Sequence, residues 1–261
     1  MKKVSGTKEW AAANINCVTG CDHDCRYCYA RANALRFARI SSPEEWSKPQ
    51  IRKRDVDKNY GKKKGTVMFP TTHDITPYTL DACLIVLEKL VKAGNNVLIV
   101  SKPHTECIQA IREKLKDYKS QILFRFTIGT YDNTILKYWE PNAPTFIERF
   151  DSLAFAHADG FRTSVSCEPM LDGPNIVKLF HMLKPAVSHS IWIGKLNKIR
   201  HRVKCETPED ELQISRIEAG QTNERIWEIY SALKDEPLIR WKESFKSVLG
   251  LPLAGEVGLD I

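Results

Sequence analysis

Short apolar runs of strand length alternate along this chain with longer stretches in which apolar residues recur every three or four positions. Six runs read as strands: residues 13–19, ending at Gly20; 65–70; 96–101; 122–128; 162–168, stopping at Pro169; and 190–194. Helical patterns fall between them at 30–39, 76–94, 103–118, 145–160 and 174–183, and a last one carries Ile226, Trp227, Ile229, Tyr230 and Leu233. Local signals agree with the periodicity. Thr76-Pro77 reads as an N-cap followed by proline at the first helical position, and Gly94 as the stop of a helix whose stripe is Leu80, Cys83, Leu84, Leu87, Leu90 and Val91. Thr145 and Glu148 form a capping-box pattern, and Gly160 closes that helix. Residues 41–64 are polar and aperiodic and read as an insertion or long loop; 197–220 is a charged stretch; 240–261 reads as a short helix and a loose tail.

Strands alternating with helices specify a parallel sheet with right-handed crossovers. Six units do not close a regular eight-fold barrel, so the expected fold is α/β: a partial (β/α)6 barrel in a single domain, 1–261. Within it, 10–200 is the barrel, 41–64 a basic insertion, and 201–261 a C-terminal helical extension and tail. In such sheets ligands lie beyond the carboxyl ends of the strands. That rule alone selects Gly20 with the loop after it, 71–74, Lys102, 127–130, Cys167-Glu168 and Lys195.

Charge sharpens the picture in one place. The net charge of +7 is carried by Arg31 to Lys64, where eleven Lys and Arg stand against four Asp and Glu. The runs Arg52-Lys53-Arg54 and Lys62-Lys63-Lys64 suit either a polyanion or a solvated lysine-rich surface. The basic start, Met1-Lys2-Lys3, is followed by no apolar stretch, and no run approaches membrane-spanning length, so neither a signal peptide nor a membrane partner is expected. Of eight cysteines, five are scattered through strand and helix patterns, unlike a secreted disulfide framework, which points to a reducing cytoplasm.

The other three, Cys21, Cys25 and Cys28, lie at C-x3-C-x2-C spacing directly after the first strand. Three soft thiolates on one loop can converge on an iron–sulfur cluster or zinc. A closed zinc site wants four ligands. His23 sits too near in sequence to reach the same ion comfortably, and Cys17 is the better rival as a fourth.

This loop, with Tyr27 just before the last cysteine, resembles the signature of the radical S-adenosylmethionine (radical SAM) superfamily. The resemblance implies that Cys21, Cys25 and Cys28 hold three irons of a [4Fe–4S] cluster, that S-adenosylmethionine chelates the fourth, and that Tyr27 flanks the adenine. Within that superfamily the chain looks most like the spore photoproduct lyase branch, from residue 14 to about 170. The matching pieces are Cys28-Tyr29-Ala30-Arg31, His73-Asp74, Ser101-Lys102-Pro103, Arg125-Phe126-Thr127-Ile128, and the segment from Glu140-Pro141 to Glu148-Arg149. By this resemblance Lys102 meets the cofactor carboxylate, and Thr72, His73, Asp74 and Thr127 serve its amine or ribose. Glu168 reaches cofactor or substrate. The fold it implies is the same partial barrel.

Two departures bear on function. Many relatives carry Gly-Gly-Glu where this chain has Thr72-His73-Asp74, and the lyase branch places a hydrogen-donating cysteine where this chain has Thr71. These argue against DNA photoproduct repair. Cys167, at another strand end, is a replacement thiol or a small buried cysteine. The implied activity is reductive cleavage of S-adenosylmethionine to a 5′-deoxyadenosyl radical that takes hydrogen from an unidentified substrate, anionic or nucleic-acid-related. Electrons would come from ferredoxin or flavodoxin. The alternative is a non-catalytic, zinc-containing nucleic-acid module, which leaves the βα units unexplained.

Overall fold

The computed structural model describes residues 4–259; the basic start, Met1–Lys3, and the last two residues lie outside them. Nine strands occur: β1 Ala13–Asn14, β2 Val18–Thr19, β3 Gln50–Ile51, β4 Val67–Phe69, β5 Val97–Ser101, β6 Ile122–Thr127, β7 Arg162–Cys167, β8 Ser190–Ile193 and β9 Ile239–Trp241. Seven form one all-parallel sheet in the order β1-β4-β5-β6-β7-β8-β9, with β1 and β9 as edges. The barrel is therefore open, as expected, but has seven strands rather than six. The added strand comes from the stretch read as an extension and tail. Its three residues, Ile239-Arg240-Trp241, are too few to show a period, and pairing with β8 supplies what propensity does not.

The first predicted strand divides in two. β1 joins the main sheet, while β2 pairs antiparallel with β3. Asn16 causes the break: its amide accepts from Thr71 N (2.7 Å) and Thr72 N (2.9 Å), which ties the strand to the exit of β4. Arg52 then takes the carbonyls of Asn16 (2.5 Å) and Val18 (3.1 Å). The 41–64 segment is accordingly structured, with short helices Pro43–Trp46 and Lys53–Asp57 anchored by buried Trp46 and Val56. The charged stretch after 197 holds a further helix, Pro208–Gly220, opened by a Thr207–Asp210 capping box. Helix Asn133–Trp139, capped by Asp132, also lacked a sequence signal long enough to read.

Helices Leu80–Lys92, Thr105–Lys114, Phe146–Ala158, Ile176–Leu183 and Asn223–Leu233 cover the outer face and bury the large core. Pro77–Thr79 opens the first of them through the predicted Thr76 cap. The inner face changes character along its length. Met68, Leu98 and Leu123 share one register level and pack with Trp10, Ala11 and Trp192 as an apolar floor. The further inward positions of β6 and β7 are polar, Arg125, Thr127, Ser164 and Ser166, and Ser190 precedes Trp192 on β8; all are buried, with Trp192 in register with Ser166 and Arg125 donating to Ser164 Oγ (2.9 Å) and Ser190 Oγ (3.3 Å).

The amino-terminal segment is tied to the far edge by one lysine. Lys242, just past β9, is fully buried. Its Nζ lies 3.1 Å from Glu9, 3.4 Å from Glu168, 3.6 Å from Glu243 and 3.0 Å from the Gly6 carbonyl, and 4.2 Å from the centre of the Trp10 ring. Burial first, and then a hydrogen bond with Glu243, push the Glu9 carboxyl up to about 8, against the pull of Lys242. The native state thus holds this proton more tightly than the unfolded chain does. The resulting stabilisation is complete below pH 4.5 and is lost as pH rises through about 8. In urea titrations at stepped pH, Glu9→Gln should flatten the fall in stability across that window; parallel curves for the two proteins would show that Glu9 does not carry it.

Candidate functional site

The cysteine loop leaves β2 at Gly20, whose φ is +94° and where an added Cβ would stand 2.6 Å from the Trp46 carbonyl oxygen, so only glycine fits. Cys21 N donates to that same oxygen (2.8 Å). Downstream, Arg26 N donates to Trp139 O (2.9 Å) and Asn142 Nδ2 to Asp22 O (3.0 Å). Arg31 closes the loop on Asp24 (2.6 Å) and the Arg26 carbonyl (3.0 Å). Cys28 Sγ caps helix Tyr29–Arg36, accepting from Arg31 N at 3.4 Å. Cys21 and Cys25 are buried and Cys28 is half-buried; all three are free thiols. Burial raises Cys25 to about 12, and burial followed by the Asp74 charge holds Cys21 well above the usual thiol range.

Asp74, at the exit of β4, is the hub of the site. Its carboxylate accepts from Lys102 N (2.9 Å), Lys102 Nζ (3.3 Å) and His23 Nδ1 (2.8 Å), and lies 4.0 Å from Cys21 Sγ. Burial alone would raise its pKa, but Lys102 and His23 together outweigh burial and hold the carboxyl well below its usual range. Lys102, at the exit of β5, is buried with its ammonium 5.9 Å from the Tyr27 ring centre. A second chain of contacts leaves Tyr27, whose hydroxyl donates to Glu140. Glu140 pairs with Arg149 (2.5 Å), both fully buried, and Arg149 also donates to the carbonyls of Pro144 (2.8 Å) and Thr127 (3.2 Å).

The expected site residues thus fall into separate groups. Cys21, Tyr27, Asp74 and Lys102 meet in one place. Thr72 is held near it through Asn16, and Tyr29 donates to the Thr71 carbonyl. His73 is not brought to the hub: its ring stands edge-on to Phe69 in the outer core, and its Nδ1 bonds only the Asp74 carbonyl (2.9 Å). Hydrogen bonding with Cys83 first, and with His73 after burial opposes it, lowers the Cys17 thiol to about 6; the two sulfurs are 3.9 Å apart. Cys17 is thereby engaged away from the loop. Thr127 faces inward from β6. Glu168 lies at the exit of β7, 22% exposed and paired with Lys242. Cys167 is fully buried in the outer core and is a packing residue.

Sequence reasoning missed His23, His104, Glu140 and Arg149 as members of this assembly. His23 is buried, and its Nε2 lies 2.8 Å from His104 Nε2; His104 Nδ1 lies 3.5 Å from Glu148. With His23 Nδ1–H donating to Asp74, the Nε2–H of His104 donates to His23. His23 is not too close to share an ion with its neighbour, contrary to expectation. Among the described residues, the one set of three ligand atoms within 4.8 Å of one another is that of Cys21, His23 and Asp74. His104, 81 residues away, carried no signal linking it to the loop.

The donor set fits an iron–sulfur cluster: three free thiols on one backbone-tied loop at the carboxyl edge of a parallel sheet, beside a buried lysine that offsets negative charge.

Comparison with known proteins supports the fold. A spore photoproduct lyase structure with bound AdoMet and dinucleoside spore photoproduct superposes with a TM-score of 0.60 at 12% identity, covering 92% of this chain and 78% of that one. Streptococcus suis SuiB bound to S-adenosylmethionine superposes with a TM-score of 0.53 at 10% identity, covering 94% of this chain and 54% of that one. The fold is therefore shared with spore photoproduct lyase and with SuiB. In sequence, "Uncharacterized protein ORF301" of Acidianus two-tailed virus is 28% identical over 180 residues, 65% of this chain and 58% of that protein's length. No family model matches the chain.

Arg149→Met removes one partner of a fully buried pair and leaves Glu140 charged and uncompensated. A loss of about 3–5 kcal/mol is expected in denaturant unfolding. Glu140→Gln strands the equally buried Arg149 guanidinium and should cost a comparable amount; losses under about 1 kcal/mol in both variants would mean that the fold does not rely on the ion pair.

Proposed function

We propose that this chain is a radical SAM enzyme in which Cys21, Cys25 and Cys28 hold a [4Fe–4S] cluster and S-adenosylmethionine binds beside it. The observation that carries the reading is the placement of three thiols on one braced loop over the polar end of an open parallel barrel. With both groups bound, the pair would supply hydrogen-abstracting radical chemistry to a substrate in the barrel mouth.

The chain's own residues orient and enclose. Lys102 meets the cofactor carboxylate, exchanging part of its contact with Asp74 for it. Asp74 keeps Lys102 charged and His23 in one tautomer. Tyr27, steadied through Glu140 and Arg149, walls the site from below. Thr72, held through Asn16, and Thr127, inward on β6, would offer their hydroxyls, while Glu168 stands at the exit of β7 paired with Lys242. His73 bonds the Asp74 carbonyl and so helps to shape the turn that carries Asp74. A low-potential donor, ferredoxin or flavodoxin, supplies the electron, and the setting is a reducing cytoplasm; no helix among the described residues is long and apolar enough to cross a membrane.

One observation favours a second reading. The set of Cys21, His23 and Asp74 offers a single zinc ion a foothold without Cys25 or Cys28. A zinc-containing, non-catalytic module remains the alternative on that ground.

Anaerobic reconstitution separates the two. After reduction with dithionite and addition of S-adenosylmethionine, 5′-deoxyadenosine should accumulate with the parent chain and not with Cys25→Ala. A protein that takes up zinc but no iron and sulfide, and forms no 5′-deoxyadenosine, would overturn the enzyme reading.

A further inference from the structure

The basic segment does not form one surface. Lys62 lies against Gly94 and Lys63 N donates to Asn95 Oδ1 (2.7 Å), so Lys62–Lys64 sit at the amino edge of the sheet, where β4 and β5 begin. Arg52 is spent on Asp55 and on the loop carbonyls. At the opposite, carboxyl edge, a different set of cations converges. A groove of about 480 Å³ runs between helix Tyr29–Arg36 and the short helix Ile199–Arg202. Tyr29, Asn33, Arg36, Lys198, His201 and Arg202 line it, and no carboxylate does.

Arg36 lies 5.5 Å from the centre of the Phe37 ring, and among the described residues the groove cations are not ion-paired. Among the described residues, Arg36, Lys198 and Arg202 have no carboxylate within ion-pair distance, whereas neighbouring Arg200 is held by both Glu211 (2.8 Å) and Glu218 (2.7 Å). The helix that follows this lip therefore neutralises one arginine and leaves the groove-facing one free. Lys198 is also held at φ +57°, a left-handed backbone unusual for a non-glycine residue, which sets the lip of the groove. The groove opens onto the mouth. Its inner wall is Tyr29, whose hydroxyl meets the Thr71 carbonyl at the exit of β4, and the charge of Arg202 is felt by both Tyr29 and Glu168.

We propose that this groove is the anchoring site for a phosphate-bearing substrate, holding its phosphate between Arg36, Lys198 and Arg202 while the rest of the molecule reaches over Tyr29 toward the mouth. The inference rests on the reading of that mouth as the place of reaction. Arginine forks match phosphate oxygens in pairs, and three cations with amide and hydroxyl donors suit a dianion better than a single carboxylate. The volume suits a small molecule or one end of a chain. A long polyanion would need a continuous stripe, and the basic residues of 31–64 are divided between opposite edges of the sheet.

Calorimetric titration of the full chain with inorganic pyrophosphate, at fixed ionic strength, tests this. One saturable site is expected. Arg202→Gln and Arg36→Gln should each weaken it about tenfold or more, the loss of one charge-assisted contact, while Lys53→Gln binds like the parent. Thermal melts of each variant, matching the parent, exclude unfolding as the cause; both arginines are at least partly exposed. Absence of saturable binding, variants that bind like the parent, or an equal loss in Lys53→Gln would overturn the proposal. A single-stranded oligonucleotide forms the second arm. If the groove takes only up to three phosphates, the slope of log affinity against log salt should be about −2 or shallower; a steeper slope would overturn the compact site in favour of an extended nucleic-acid surface. Pyrophosphate binding is read on the cluster-free chain as well. Failure to form 5′-deoxyadenosine with the groove intact then faults the radical reading alone, and loss of anion binding with 5′-deoxyadenosine still forming faults the groove alone.

Discussion

The Asp74 carboxylate is the constraint on which the site depends. It gathers three contacts from two separated pieces of chain: His23 in the cysteine loop, and the backbone and ammonium of Lys102 at the next strand exit. A buried carboxylate without partners would be protonated or would disrupt its surroundings. Here two cationic or polar side chains and a backbone amide hold it ionised, and in return it fixes the height of the loop over β4 and β5. Cys21 lies 4.0 Å away, so the position of the first thiol is set by the same group.

The second buried pair, Glu140 with Arg149, acts at right angles to the first. Arg149 reaches from helix Phe146–Ala158 to the Thr127 carbonyl at the end of β6, and Glu140 reaches Tyr27 in the loop. The loop is thus braced from β4 and β5 on one side and from β6 on the other. Replacing such a pair with apolar residues often leaves stability unchanged, so the pair is better understood as specifying position than as adding stability. A loop that must present three thiols in one arrangement has need of that kind of specification.

Much of this was legible before any coordinates. The five central strands, the Thr76 and Thr145 caps and the strand-exit positions of Asp74 and Lys102 followed from periodicity and from the rule that ligands lie past the carboxyl ends. What escaped has a physical reason in each case. β9 is three residues long and gains its structure from β8. Helix Pro208–Gly220 buries Asp210 and Gln213 beside Ile214 and Ile217, so it presents no clean apolar stripe. His23 and His104 meet across 81 residues, and each alone is an ordinary polar residue. Glu140 and Arg149 lay in a segment already singled out, but pairing within the fold, not spacing, defines their role.

The inner face explains why chemistry belongs at one end of this barrel. Trp10, Met68, Leu98, Leu123 and Trp192 form an apolar cluster there. One level higher, Arg125 lies 4.7 Å from the Trp10 ring centre and spends its guanidinium on Ser164 and Ser190. Lys242 similarly stands over Trp10 while holding Glu168 at the rim. Each of these cations lies near an aromatic ring and also meets oxygen acceptors. Anions arriving from above would meet Arg36, Lys198 and Arg202 first. The carboxyl rim differs from the amino edge, where Lys62–Lys64 lie, in bringing the cysteine loop, Asp74 and Lys102 together over the open end of the sheet.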